Sequence, residues 1–201
     1  MRLGALLPCL LAASAADADD GEWRVGAGGG GTVMNARAGG AHGPGIGYQV
    51  HGRVGFGLAN TVELSLVGGY ASVSNVPFDD AALAGQTGRL FADLSTAELL
   101  AELRWTPGVG LARTFERTSP FLAARVGAAL IMRTSQVLLA PGNLLLAAPE
   151  DEIEVVPVAG GAIGVEHRLG DHLFVAVELG ATWTSDATVL DFTAEASWAW
   201  Y

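Results

Sequence analysis

A chain of 201 residues with 28 glycines, a formal charge of −10 and a positive mean hydropathy suits a single domain. Its acidity argues against nucleic-acid binding, and nothing after the leader offers the ~20 apolar residues of a membrane-spanning helix. The hydrophobicity must then sit in a core or be shown to lipid on strands.

The first residues read as an export signal. Met1-Arg2 supplies a positive charge, Leu3 to Ala16 is apolar or small, and Ala13-Ser14-Ala15 offers small residues for cleavage. We therefore expect a signal peptide over residues 1–15, cleaved near Ala15/Ala16, a short segment over 16–22 and one domain over 23–201. A lipoprotein reading of Cys9 is opposed by Pro8, which stands where a small residue belongs. Cys9 is the only cysteine, so the mature chain has no disulfide or thiolate chemistry.

Period-two segments follow, as strands require. Over residues 23–34, Trp23, Val25 and Ala27 alternate with Arg24, Gly26 and Gly28. Residues 46–58 set Tyr48, Val50, Val54, Phe56 and Leu58 against Gln49, His51 and Arg53. Residues 61–74 set Val62, Leu64, Leu66 and Tyr70 against Thr61, Glu63 and Ser65. Residues 96–105 set Ala97, Leu99, Ala101, Leu103 and Trp105 against Glu98, Glu102 and Arg104. Residues 121–133 set Leu122, Ala124, Val126, Ala128, Leu130 and Met132 against Arg125 and Arg133. Residues 153–168 alternate weakly, and the Gly160-Gly161 pair suggests a bulge or register change. The last two segments are the cleanest. In residues 172–183, Leu173, Val175, Val177, Leu179, Ala181 and Trp183 share a face opposite His172, Phe174, Glu178 and Thr182. In residues 189–201, Leu190, Phe192, Ala194, Ala196, Trp198 and Trp200 oppose Asp191, Thr193, Glu195, Ser197 and Tyr201.

The fold class expected is all-β: an eight-stranded antiparallel up-and-down transmembrane β-barrel. The apolar faces of the cleaner strands carry no charge, as a lipid-facing wall requires. The connections at 59–60 and 170–171 are minimal, and those at 35–45, 75–95 and 134–152 are longer. Short periplasmic turns and long outer loops place the chain's start on the periplasmic side; against that rule, 107–120 is longer and 185–188 shorter. The aromatics then sort into two rims. Trp23, Phe56, Trp105, Phe121, Trp198, Trp200 and Tyr201 fall near the periplasmic end; Tyr48, Tyr70 and Trp183 fall near the outer end. Residues 80–94 could hold a short helix in the second outer loop. A soluble antiparallel barrel also has period two and is the competing fold.

This pattern resembles the small eight-stranded outer-membrane barrels, such as the OmpA transmembrane domain and the OmpX and OmpW groups. The resemblance covers the mature chain and rests on strand pattern together with the terminal aromatics Trp198, Trp200 and Tyr201. In those families an aromatic terminal strand helps the barrel assembly machinery recognise its substrate. Here the apolar register runs through Trp198 and Trp200 rather than through Tyr201. The resemblance implies the outer membrane of a Gram-negative bacterium, with outer-membrane lipids as surroundings.

The inward faces collect Arg24, His51, Arg53, Glu63, Glu98, Glu102, Arg104, Arg125, Glu178 and Glu195, joined by Gln49 and Asp191. Eight strands enclose an interior just wide enough for side chains to fill it, so opposite charges are expected to pair. A narrow ion path lined by carboxylates is the sharper alternative. Lipid-modifying barrels of this size also exist, but His42, the histidine nearest the outer leaflet, has no serine beside it in sequence. No metal-ligand spacing, catalytic motif or cofactor motif stands out. The glycine run at 28–31 lacks the Lys-Ser/Thr ending of a phosphate loop and reads as barrel structure.

The loop over 134–152 is unusual. Leu138, Leu139, Leu144, Leu145 and Leu146 flank Pro141-Gly142-Asn143, which suggests a hairpin continuing above the membrane. Exposed leucines there would bind a partner or a small hydrophobic ligand, and the OmpW group is associated with small hydrophobic compounds. The leading expectation is a structural or interaction role exercised through the outer loops. A porin-like channel, a lipid-modifying enzyme and a soluble periplasmic ligand binder are the alternatives.

Overall fold

The computed structural model describes residues 21–38, 40–59, 61–83, 85–107 and 117–200. The expected signal peptide and Tyr201 lie outside them. The described chain is almost entirely strand: β1 (Trp23–Ala38), β2 (Ala41–Ala59), β3 (Val62–Leu83), β4 (Gln86–Trp105), β5 (Thr118–Ala140), β6 (Leu144–Ala147), β7 (Glu152–Arg168), β8 (Leu173–Trp183) and β9 (Ala187–Trp200). Every pairing is antiparallel, and β1–β9 and β4–β5 pairings close the sheet on itself. Eight strands form the ring. The short β6 lies outside it, paired to the end of β5.

The register fixes the barrel's dimensions. From Trp23, the partners run Phe56, Leu64, Leu103, Ala124, Gly161, Ala181 and Leu190, returning to β1 at Val33, position 33 rather than 23. A stagger of ten residues over eight strands tilts each strand by ~40° from the axis. At that tilt one residue climbs ~2.5 Å along the axis, and Tyr48 lies roughly 23 Å above Trp23. That matches the ~25 Å apolar band of a membrane barrel.

The wall between those levels is apolar. Val25, Val54, Leu66, Leu103, Val126, Ile163, Leu179 and Phe192 all point outward and are exposed. A soluble barrel would place polar side chains there. At the lower rim Trp23 and Phe56 meet with centroids 5.0 Å apart; at the upper rim Tyr48 and Tyr70 lie 6.4 Å apart. Trp105, Trp198 and Trp200 join the lower girdle and Trp183 the upper one. Phe121 does not. It is 2% exposed and points inward, because it shares strand parity with Arg125, four residues on.

Two outer connections differ from the expected loops, and a third forms the expected hairpin. Residues 35–45 are mostly the paired ends of β1 and β2, with Ala38 opposite Ala41. Residues 75–95 are a long hairpin of β3 and β4, so the short helix expected over 80–94 is strand instead. Two irregularities, at Val73/Val76 and Phe78/Ala81, bring Asn75 and Asp80 to positive φ. Such bulges bend a strand and sharpen its twist. The third, 134–152, continues β5 to Ala140 and returns through β6, as the Pro-Gly-Asn turn suggests. The Gly160-Gly161 pair carries no register shift: β7 pairs continuously with both neighbours there.

Candidate functional site

The lower half of the interior is an ion-pair network. Arg24 on β1 donates from Nη1 to both Glu166 oxygens at 2.8 Å and lies 3.6 Å from Glu63. Arg53 on β2 donates to Glu195 at 2.7 Å and to Glu102 at 3.1 Å. Arg125 on β5 donates from Nε to Glu102 at 2.7 Å and from Nη2 to Glu178. Arg104 on β4 reaches Glu166 at 3.4 Å and Glu178 at 3.5 Å, with its Nε 3.4 Å from Glu102. Glu102 is the hub, 0% exposed and facing three guanidiniums. His51 Nε2 sits 3.2 Å from Glu195.

Aromatic rings floor the network. The Arg104 guanidinium lies 3.9 Å over the Phe121 ring and Arg24 lies 4.2 Å over Phe174, contacts that stabilise desolvated cations. The inward turn of Phe121 is thus part of the network. The glycine run of β1 makes room for it. A Cβ on Gly26 would stand 2.5 Å from Glu195 Oε1, and one on Gly28 would stand 2.8 Å from His51 Nε2. Only bare backbone lets those side chains lie across β1.

Nine of the ten expected interior residues, Arg24, His51, Arg53, Glu63, Glu102, Arg104, Arg125, Glu178 and Glu195, are brought together. The tenth, Glu98, lies higher, and no ion pair within 4.0 Å involves it among the described residues. Glu166 belongs to the network without having been singled out. The weak alternation of residues 153–168 hid its face, although its spacing from Ile163 and Val165, both outward, marks it as inward.

The upper half of the interior is mostly apolar; inward-facing Arg133 is buried at its edge, donating to Glu152 and to the Arg37 carbonyl, each at 3.2 Å, and Thr96 and Gln136 are buried there too. Met34, Val73, Val76, Phe78, Leu90, Leu94, Ile131 and Leu138 are buried in one cluster with Val156, Val158 and Val189. The bulged β3–β4 hairpin bends inward here: a Cβ on Gly43 of β2 would stand 2.8 Å from the Phe78 ring. Leu138, expected among the exposed loop leucines, is 0% exposed within this plug. Its neighbour Leu139 and Leu146 are half-buried, while Leu144 and Leu145 are 69% and 66% exposed. On β7 the outward Val155 and Ile153 are also exposed, standing roughly 7–12 Å beyond the level of Trp183.

His42 lies at the outer rim, in a polar depression of about 200 Å³ with Arg37, Ser185 and Asp186. Its Nε2 faces Arg37 Nη2 at 3.3 Å, and Ser185 donates to Asp186 at 3.0 Å rather than to His42. An apolar groove of about 470 Å³ on the wall, lined by Leu122, Ile163, Val165, Leu179 and Phe192, lies between the girdles, at the depth of lipid chains. Among the described residues no group of three or more His, Cys, Asp or Glu converges as a metal site.

No protein-family model matches the chain, and no curated protein matches it. Solved structures do. Neisserial surface protein A is similar over 89% of this chain and 99% of its own, with a TM-score of 0.57 and 12% identity. The outer membrane protein OprG of Pseudomonas aeruginosa is similar over 92% and 98%, with a TM-score of 0.49 and 13% identity. Ail, the attachment invasion locus protein of Yersinia pestis, is similar over 90% and 99%, with a TM-score of 0.46 and 12% identity. The closed antiparallel ring of eight strands agrees with the first of these likenesses: the chain has the fold of the small eight-stranded outer-membrane β-barrels.

Proposed function

We propose that the protein is exported by its leader into a Gram-negative envelope and works in the outer membrane as a closed scaffold. The scaffold presents its outer extension to a partner or small hydrophobic ligand. The observation that carries this reading is the division of the interior. Ion pairs fill the lower half and an apolar plug fills the upper half, so the functional surface is the rim. There Leu144, Leu145, Ile153 and Val155 stand exposed above the upper girdle, and contiguous exposed apolar surface of that kind marks interaction sites. The same reading has β9 offering Trp198 and Trp200 to the barrel assembly machinery. It assigns no catalytic role, since the imidazole of His42 faces a guanidinium rather than a nucleophile.

The test is site-specific photo-crosslinking in living cells, with the reactive residue placed at Leu144, Ile153 or, as a control, lipid-facing Val126. Discrete adducts from Leu144 and Ile153 that are missing from Val126 are expected. Equal labelling at all three positions, or lipid adducts alone, would overturn the reading.

A further inference from the structure

The barrel wall is notched at its outer end. Pairing between β7 and β8 stops at Ala159 and Trp183, where β8 ends, while β7 continues upward to Glu152. The direction of the main-chain groups along β7 is set at its lower end. Arg168 N–H donates to the Arg117 carbonyl on the β5 side, and Leu169 N–H donates to the Leu173 carbonyl of β8. Successive residues of a strand alternate in this way, and both β7 ladders run without a register shift. Odd-numbered residues of β7 therefore face the β8 side. Above the notch, Ile153 and Val155 each turn an N–H and a carbonyl to a side where no strand pairs with them among the described residues. Pro157 adds a carbonyl alone.

The same open edge continues into β6. Both β4 and β6 pair with Leu138 and Leu139 of β5, so they flank it and β6 lies on the β7 side. Beyond β6 no further strand follows among the described residues. The edge is apolar on both faces. Ile153 and Val155 are 67% and 70% exposed outside it, and Val156 and Val158 pack into the plug inside it. Exposed strand edges are ordinarily blunted by proline, charge or cover. Here proline stands only at the lower end.

We propose that an extended segment of a partner protein completes this edge, adding as a strand to β7 above the β8–β9 turn. The proposal rests on the reading of the outer rim as the interaction surface and names its mode of binding. A row of main-chain donors and acceptors is matched by another main chain. The segment is apolar where it passes Val155 and Pro157, and basic where it passes the tip. There Glu150, Asp151, Glu152 and Glu154 gather, and Arg133 lies 3.2 Å from Glu152 and 3.9 Å from Glu154. One guanidinium among four carboxylates leaves this end acidic. A second copy in the same membrane does not fit. Such copies are related by an axis along the membrane normal, so two β7 edges, each tilted by ~40°, would cross at about 80° instead of running antiparallel.

The experiment uses the refolded full barrel in detergent and a short valine-rich peptide flanked by lysines. The same peptide with glutamates for lysines, and one with a central proline, serve as comparisons. Amide exchange at single residues is read by NMR. In the free barrel the Ile153 and Val155 amides exchange faster than those of Glu154 and Val156, which face β5. With the lysine peptide at roughly ten times its Kd, exchange at Ile153 and Val155 slows by about tenfold. The glutamate peptide slows it less, and the proline peptide leaves it unchanged. Val155→Pro removes an edge N–H and abolishes the protection of Ile153, while Val155→Thr keeps it. The heat-dependent gel mobility shift shows that each variant folds. If Val155→Pro does not fold, the proline peptide carries the same test. Unchanged exchange with the lysine peptide, or amides of Ile153 and Val155 already as slow as that of Val156 in the free barrel, would overturn strand addition. It would do so even where cross-links from Leu144 and Ile153 uphold the rim as a binding surface, so the two failures are told apart.

Discussion

Glu102→Gln is the sharpest probe of the interior. The change keeps the side chain's size but puts an amide where three guanidiniums converge, from Arg53 at 3.1 Å, Arg125 at 2.7 Å and Arg104 at 3.4 Å. Removing one partner of a buried ion pair costs about 3–5 kcal/mol, because the remaining charge stays desolvated. Here each arginine keeps a second carboxylate: Arg53 keeps Glu195, Arg125 keeps Glu178 and Arg104 keeps Glu166. The loss should therefore fall near the low end, about 3 kcal/mol, or roughly 150-fold in the unfolding equilibrium. The assay is reversible urea unfolding of the barrel in lipid vesicles, followed by tryptophan fluorescence. Arg89→Gln is the control. Its pair with Asp79 is short, at 2.6 Å, but both side chains are exposed, and its loss should cost under about 1 kcal/mol. If Glu102→Gln lies as close to wild type as Arg89→Gln does, the network does not hold the barrel together and the reasoning fails.

Two further substitutions probe the other parts of the interior by the same unfolding assay. Gly28→Val would drive a branched side chain into His51 and the Ala194 carbonyl, costing about 1–3 kcal/mol as overpacking does; an unchanged midpoint would contradict the close crossing of His51 over β1. Phe78→Ala hollows the apolar plug at a fully buried site and should cost about 3–5 kcal/mol, whereas a change below about 1 kcal/mol would show that the bulged hairpin does not pack into the mouth.

Strand pattern made the barrel legible, and it did so best where one face is lipid and the other is charge. Residues 172–183 and 189–200 alternate cleanly because Val177 and Leu179 must be apolar while Glu178 finds partners inside. The same rule reaches nine members of the interior network. It fails above the upper girdle, where the inward face turns apolar and the exposed face of the β3–β4 hairpin turns polar. Val73, Val76 and Phe78 face the plug, yet bulges at Asn75 and Asp80 break the period-two count that would have shown it. Hence residues 75–95 read as a loop, and Leu138 reads as exposed. Phe121 went astray for a related reason: an aromatic at a strand end suits a girdle, but its parity with Arg125 places it beneath Arg104. Which carboxylate meets which guanidinium was beyond reach. Arg24 and Glu166 lie 142 residues apart in sequence and meet across the barrel.

The central claim is that the interior is filled from end to end and that function resides at the outer rim. Planar-bilayer recording of the refolded wild-type protein tests it most directly. The account predicts no resolved channel steps in wild type. Sustained, cation-preferring openings in wild type that weaken on Glu98→Gln would contradict it and establish the interior as a conducting path.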